Sequence, residues 1–162
     1  MLQMKSDLPV CGLKDRNILQ IHFRKIMFHR KRKFSQKQKK WLDVYFSGEE
    51  PNFTPPLHPN GSTFRKAVWQ ILLDIPYGQT ITYGEIARRI AVMKNTSHMS
   101  AQAVGGAVGH NEISIIIPCH RVIGTNGSLT GYAGGIDKKI SLLKLEHTDM
   151  SRLFIPKKGT AL

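Results

Sequence analysis

Residues Ile117-Pro118-Cys119-His120-Arg121-Val122 set a thiol beside an imidazole and a guanidinium, the ingredients of an activated nucleophile. A thiolate is soft and strongly nucleophilic, and its reactivity follows the fraction ionised. With an ordinary pKa of about 8.5, a cysteine needs a base or positive surroundings to act near neutrality. The apolar run at 113–117 reads as a short buried strand. Pro118 fixes its own φ and donates no backbone N–H, so the strand is expected to stop there and present Cys119 at its mouth. Adjacent side chains on a strand point to opposite faces, so contact between Cys119 and His120 requires a turn after Pro118. A buried structural cysteine is the competing reading, since unpaired cysteines are among the most buried residues. Local sequence leaves both open.

The elements that must hold this string divide the chain into three segments. Residues 1–34 are basic and poorly periodic, with 18–23 a candidate strand. Residues 35–60 begin with a helix at 36–46, ended near Gly48, and continue into a link where Pro55, Pro56 and Pro59 block regular structure. In residues 61–147, Ser62-Thr63 provides an N-cap. Phe64, Ala67, Val68, Ile71 and Leu72 then form the apolar stripe of a helix that Pro76 stops. Thr82-Tyr83-Gly84-Glu85 has the form of a capping box, with Ile86, Ala87 and Ile90 along one face. A linker at 92–99 leads to Ser100, the next cap, and to a helix containing Gly105, Gly106 and Gly109. Two helices joined in this way outline a helix-turn-helix. Each glycine costs its helix about 1 kcal/mol relative to alanine. Small residues let another surface come close, either a nucleic-acid backbone or a neighbouring helix.

Further along, Thr125-Asn126-Gly127-Ser128 reads as a tight turn and Gly131-Tyr132-Ala133-Gly134-Gly135 as a flexible loop with one aromatic. Asp137 is expected to cap a helix carrying Ile140, Leu143 and Glu146. The tail, 148–162, is polar apart from Leu153-Phe154-Ile155 and is expected to be loosely held.

At 162 residues the chain can bury one good core or two small lobes. No stretch approaches the apolar length of a membrane span, and the first residues lack a signal peptide's apolar centre, so an intracellular soluble protein is expected. Cys11 and Cys119 form no secreted disulfide framework and no Cys-x-x-Cys pair, which argues against structural zinc. The formal net charge is +13, unevenly placed: residues 1–40 carry 12 Lys/Arg against 2 Asp/Glu, the rest 12 against 9. Such a chain favours polyanions through counterion release, although the basic run at 29–33 alone reads as a solvated segment.

The string Pro118-Cys119-His120-Arg121-Val122 resembles the active-site signature of the O6-alkylguanine-DNA alkyltransferases. So do Gly61-Ser62-Thr63-Phe64, Val68-Trp69, Ile75-Pro76-Tyr77-Gly78, Thr82-Tyr83-Gly84, Ala103-Val104-Gly105, Asn111, the loop from Gly131 to Gly135, and Leu142-Leu143 through Glu146. The likeness is ordered and nearly gapless over 53–147. Trp41-Leu42 and Tyr45-Phe46-Ser47-Gly48 resemble the helix that precedes this domain in the family. The implied fold is α/β, with a small N-terminal lobe at 1–60, abbreviated if the divergent residues 1–34 do not supply all of it. A mainly helical, winged-helix-like domain at 61–147 would hold the helix-turn-helix and the cysteine, followed by the tail.

The resemblance implies irreversible transfer of a methyl or larger alkyl group from O6 of guanine, or O4 of thymine, in duplex DNA to Cys119, without cofactor or metal. The product thioether resists water, so the protein is consumed by one turnover. A damaged guanine inside a duplex must be flipped out at a cost of about a few kcal/mol. His120 would act on Cys119 through a water, with Glu146 orienting the imidazole and Asn111 bracing the active-site turn. Tyr83 would crowd the flipped nucleotide's phosphate and help protonate guanine N3. Tyr132, Ala133, Gly134 and Val122 would line the base pocket. Ser100, Ala101, Gln102, Gly105 and Arg121 would face the DNA, the second helix entering the minor groove. Taken singly, Glu146 reads as a surface charge, Asn111 as an Asx turn and the tyrosines as core residues with wet hydroxyls.

One departure concerns Gln102, where the family commonly carries an arginine that fills the gap left by the flipped base. Glutamine is uncharged and stacks more weakly, implying slower repair or a Gln102 that does the job alone. The linker before it is also longer than usual. Two competing readings are a papain-like hydrolase and a DNA-binding module that senses alkylguanine without repairing it. The hydrolase lacks its signature and would need Cys119 at a helix N-terminus; the sensors lack the cysteine. The remaining expectations are a monomer, no membrane partner, and a cytoplasmic location, or nuclear in a eukaryote.

Overall fold

The structure is a computed structural model and describes residues 34–157. The candidate strand at 18–23, the basic run at 29–33, Cys11 and most of the expected N-terminal lobe lie outside the described residues. Helix α1, Gln36–Phe46, starts at a capping box in which Ser35 and Gln38 satisfy each other's backbone amides. Helix α2, Thr63–Leu73, is capped by Ser62, and the Trp69 indole donates to the Ala107 carbonyl at 2.9 Å. Strand β1, Ile81–Thr82, leads straight into α3, Tyr83–Met93, through the expected Thr82–Glu85 capping box. α3 runs to Met93, past the expected start of the linker, and residues 94–100 connect it to α4, Ala101–Gly109, capped by Ser100. Helices α2, α3 and α4 pack on one another around the main core.

The expected strand at 113–117 does not form. Ser114 and Ile117 share one isolated bridge, the Ile117 amide reaches the Ile113 carbonyl at 3.0 Å, and Ile115 takes a φ of 75°. A β-branched residue at positive φ is costly, and it is tolerated here because burial outweighs it. All four isoleucines of the run are buried, each contributing about 1.5–3 kcal/mol. An apolar run reports burial, and either a strand or a tight turn can deliver it. Cys119 correspondingly opens a single 3₁₀ turn, Cys119–Arg121, instead of ending a strand.

Strand β2, Val122–Ile123, pairs parallel to β1, placing Ile81 beside Val122 and Thr82 beside Ile123. This two-stranded sheet ties the start of α3 to the segment just after the cysteine. Helix α5, Ile136–Leu145, is capped by Gly135, with Asp137 inside its first turn and not at the cap. Glu146 stands one residue beyond its end and is buried. The described part of the tail, 148–157, is held more firmly than expected. Phe154 donates to the Gly127 carbonyl at 3.1 Å and accepts from the Leu129 amide at 2.8 Å. Gly127, at φ 86°, permits this approach, because a Cβ there would overlap the Arg152 carbonyl. Leu153 joins a second, smaller core with Ile123, Leu129 and Leu143. Among the described residues no helix is long and apolar enough to cross a membrane.

Candidate active site

Asn111 substitutes for the missing ladder. It donates from Nδ2 to the Ile117 carbonyl at 2.8 Å and accepts on Oδ1 from the Ile113 amide at 3.0 Å, clasping the turn that leads to Pro118. Cys119 is 5% exposed and lines a cavity of about 340 Å³ together with Tyr83, Asn111, Ser114, Tyr132 and Ala133. Burial pushes the Cys119 thiol up from its ordinary pKa. Hydrogen bonding by Asn111 and Ser114 and the charge of Lys139 pull against that shift without cancelling it. The thiol therefore needs a base.

His120 is the imidazole next to it in the chain. The ring is fully buried, with Nε2 at 2.6 Å from Glu146 Oε1 and 3.3 Å from the Tyr45 hydroxyl. An ionised carboxylate only accepts, so the neutral ring carries its proton on Nε2 and leaves the Nδ1 lone pair as the base. Nδ1 is buried and has no hydrogen-bond partner among the described residues. Burial outweighs the pull of Glu146 and holds the His120 pKa below its ordinary value, so the ring is neutral at pH 7.

Glu146 is the hub. It accepts from Tyr45 Oη at 2.7 Å, His120 Nε2 at 2.6 Å, Arg121 Nε at 2.8 Å, Arg121 Nη2 at 3.1 Å and the Gly78 amide at 3.3 Å. Burial by itself would raise its pKa; the His120 and Arg121 interactions outweigh burial and bring it down to about 2. With His120 neutral, the charge that keeps Glu146 ionised is Arg121. The guanidinium also donates to the Ile75 carbonyl at 2.6 Å and is 7% exposed. Arg121 is thus an internal clamp, which corrects its expected place on the DNA surface.

The structure places Cys119, Asn111, Tyr83, Tyr132 and Ala133 on the cavity wall and pairs His120, the next residue after Cys119, with Glu146. The Tyr83 hydroxyl donates to the Gly131 carbonyl at 3.4 Å; burial and the neighbouring Cys119 push its pKa up to about 12, so it stays protonated. Two expected wall residues sit elsewhere. Val122 is fully buried in β2, and Gly134 lies behind the Tyr132 ring. On α4, Ser100, Ala101 and Gln102 are exposed, whereas Gly105 faces inward and lines the cavity, correcting its expected outward place. Gly106 and Gly109 are exposed, and a Cβ on either would meet nothing within 4 Å. Packing against a neighbouring helix therefore does not explain them. Gly106 leaves the outer side of α4 smooth, and Gly109 also borders the cavity.

Three residues escaped sequence reading. Tyr45 reaches the site from α1, stacked on Trp41 at 5.2 Å; the family-like helix contained it, but nothing in the sequence pointed it at the site. Lys139 is wholly buried, its Nζ donating to the carbonyls of Val122 at 2.5 Å and Thr130 at 2.7 Å. Burial lowers its pKa to about 8, against an upward pull from Cys119. A lysine interrupting the apolar stripe of α5 was the clue. Ser114, inside an isoleucine run, was the third.

A family model described as the DNA-binding domain of 6-O-methylguanine DNA methyltransferase matches residues 63–148. A methylated-DNA–protein-cysteine methyltransferase of Methanosarcina acetivorans is 51% identical over 113 residues, covering 70% of this chain and 69% of that protein. One of Mycobacterium tuberculosis is 52% identical over 105 residues, covering 65% of this chain and 61% of that protein. The crystal structure of M. tuberculosis OGT in complex with DNA superposes with a TM-score of 0.61 at 49% identity, over 72% of this chain and 67% of that one.

Proposed function

The chain belongs to the O6-methylguanine-DNA methyltransferase family, and from that premise we propose that it repairs DNA by taking the alkyl group of O6-alkylguanine onto Cys119. One observation carries the reading: a buried thiol on a cavity large enough for a nucleobase, backed by a neutral histidine whose unpartnered nitrogen can act as base. His120 Nδ1 takes the thiol proton through a bridging water, and Glu146 stabilises the imidazolium that forms. The thiolate attacks the alkyl carbon. A C–S bond forms, the C–O6 bond breaks, and the electron pair leaves with guanine. Tyr83, still protonated, donates to N3 of that leaving base. The sulfur keeps the alkyl group as a thioether, so each molecule acts once.

In this reading the domain at 61–147 is the winged-helix-like DNA-binding and catalytic unit, and residues 1–60 form the lobe and linker. Helix α4 offers its smooth face to the minor groove, with Ser100, Ala101 and Gln102 at its leading end. Gln102 fills the stack when the lesion flips into the cavity. The protein acts as a monomer in the cytoplasm, or in the nucleus of a eukaryote. A module that only senses the lesion would have no use for the activated thiol.

The test is intact mass after incubation with duplex DNA carrying O6-methylguanine. One methyl mass on the Cys119 peptide, with turnover stopping at one equivalent, is expected. Repeated turnover, or a label on Cys11, would sink the mechanism. Gln102→Ala is expected to slow repair of the duplex far more than attack on the free base, because only the duplex requires extrusion. Equal losses on both substrates would move Gln102 from the DNA stack to the fold or pocket.

A further inference from the structure

The tail beyond α5 touches the Cys119 cavity, and nothing in the chemistry above uses it. After the turn at 149–152 the chain is anchored at Phe154 by its two backbone bonds beside Gly127 and Leu129, and by Leu153 in the second core. The next two residues, Ile155 and Pro156, pass the anchor and line the cavity. Proline restricts the residue before it to extended backbone, and isoleucine is stiff at χ1, so this pair is a rigid apolar element. Ile155 is nevertheless 56% exposed. Its surface is unspent by the fold and available to a ligand.

The cavity wall carries both polar and apolar groups. Tyr83, Asn111 and Ser114 bring polar groups, whereas Leu129, Ile136, Ile155 and Pro156 are apolar. Leu129 and Ile136 both belong to the second core, against which Leu153, two residues before Ile155, also packs. A guanine needs its polar edges paired, whereas an alkyl chain beyond the reacting carbon needs apolar cover. Resting on the alkyltransferase reading, we infer that Ile155, with Pro156, is a specificity-determining contact for the O6 substituent, favouring large apolar groups over methyl. A methyl group is too small to reach a rim. A benzyl group can cover part of Ile155 and keep water from it.

The test uses one duplex sequence carrying either O6-methylguanine or O6-benzylguanine, so that DNA binding and base flipping are common to both. Rates are read by intact mass for the full chain and for Ile155→Ser and Ile155→Leu. The benzyl-to-methyl rate ratio is expected to fall about fivefold in Ile155→Ser, the effect of losing about 40 Å² of apolar cover. Ile155→Leu should restore it. The ratio is internal to each variant, so a general loss of folded protein cancels. An unchanged ratio would show that the tail is no part of substrate selection. A raised ratio would make Ile155 a steric stop and overturn the contact, as would a wild type that accepts methyl but not benzyl. A wild type unlabelled by the methyl duplex would overturn the alkyltransferase reading itself.

Discussion

Replacing His120 by glutamine is expected to cut alkyl transfer at pH 7 by about a hundredfold or more. The glutamine amide can still donate to Glu146, but it cannot take a proton. Cys119 must then ionise unaided, and burial holds its pKa above the ordinary value. Even at the ordinary pKa of about 8.5 a thiol is only about 3% thiolate at pH 7, and burial lowers that fraction further. The same argument sets the shape of the pH profile. In the wild type the acid limb follows His120, whose pKa lies below 6.5, so transfer holds its rate down to mildly acidic pH. In His120→Gln that limb moves up to the thiol itself, into the alkaline range above the ordinary cysteine pKa. Single-turnover rates by intact mass across this range check the prediction. A limb that stays in place would assign activation of Cys119 to another group, Lys139 being the nearest charge to it in effect.

Glu146→Ala is expected to cost about 3–5 kcal/mol of stability along with most of the activity. The substitution leaves the buried Arg121 guanidinium without its counter-ion, and the Tyr45 hydroxyl and Gly78 amide without an acceptor. Against a total stability of about 5–15 kcal/mol this is a large fraction. His120 also loses the acceptor that fixes its proton on Nε2. The pH dependence has a definite sign. Glu146 titrates near 2 in the fold and near 4.5 when unfolded, so between those values the unfolded chain binds more protons. The stability it contributes is complete above pH 4.5 and is lost as pH falls toward 2. His120 acts in the same direction below 6.5, because its folded pKa is also depressed. Urea midpoints of the wild type should therefore fall steeply on acidification, and those of Glu146→Ala should flatten between pH 4.5 and 2. A variant as acid-sensitive as the wild type would place the stabilising charge elsewhere.

The helical frame was legible because its signals are local. Ser62, Thr82 with Glu85, and Ser100 cap helices through bonds spanning three residues, and the apolar stripe of α2 repeats with the helix period. The Cys119-His120 string was legible for its residue types, and the family resemblance linked Asn111 and Glu146 to it across the chain. The backbone at 113–117 was not legible. Five residues of which four are isoleucine demand burial in any conformation, and only the clasp of Asn111 selected the turn.

What only the tertiary structure decided were the long-range partnerships. Arg121 carries a DNA-binder's side chain, yet it turns inward because Glu146, 25 residues away, offers both carboxylate oxygens in a dry site. Tyr45 joins the same carboxylate from 101 residues away, and Lys139 bridges two carbonyls that no periodicity connects. By itself the sequence determined which groups could do chemistry and which helices would form, since those depend on residue type and near neighbours. The protonation states of Cys119 and His120 depend on burial and on charges brought together by folding, and so they belong to the tertiary structure.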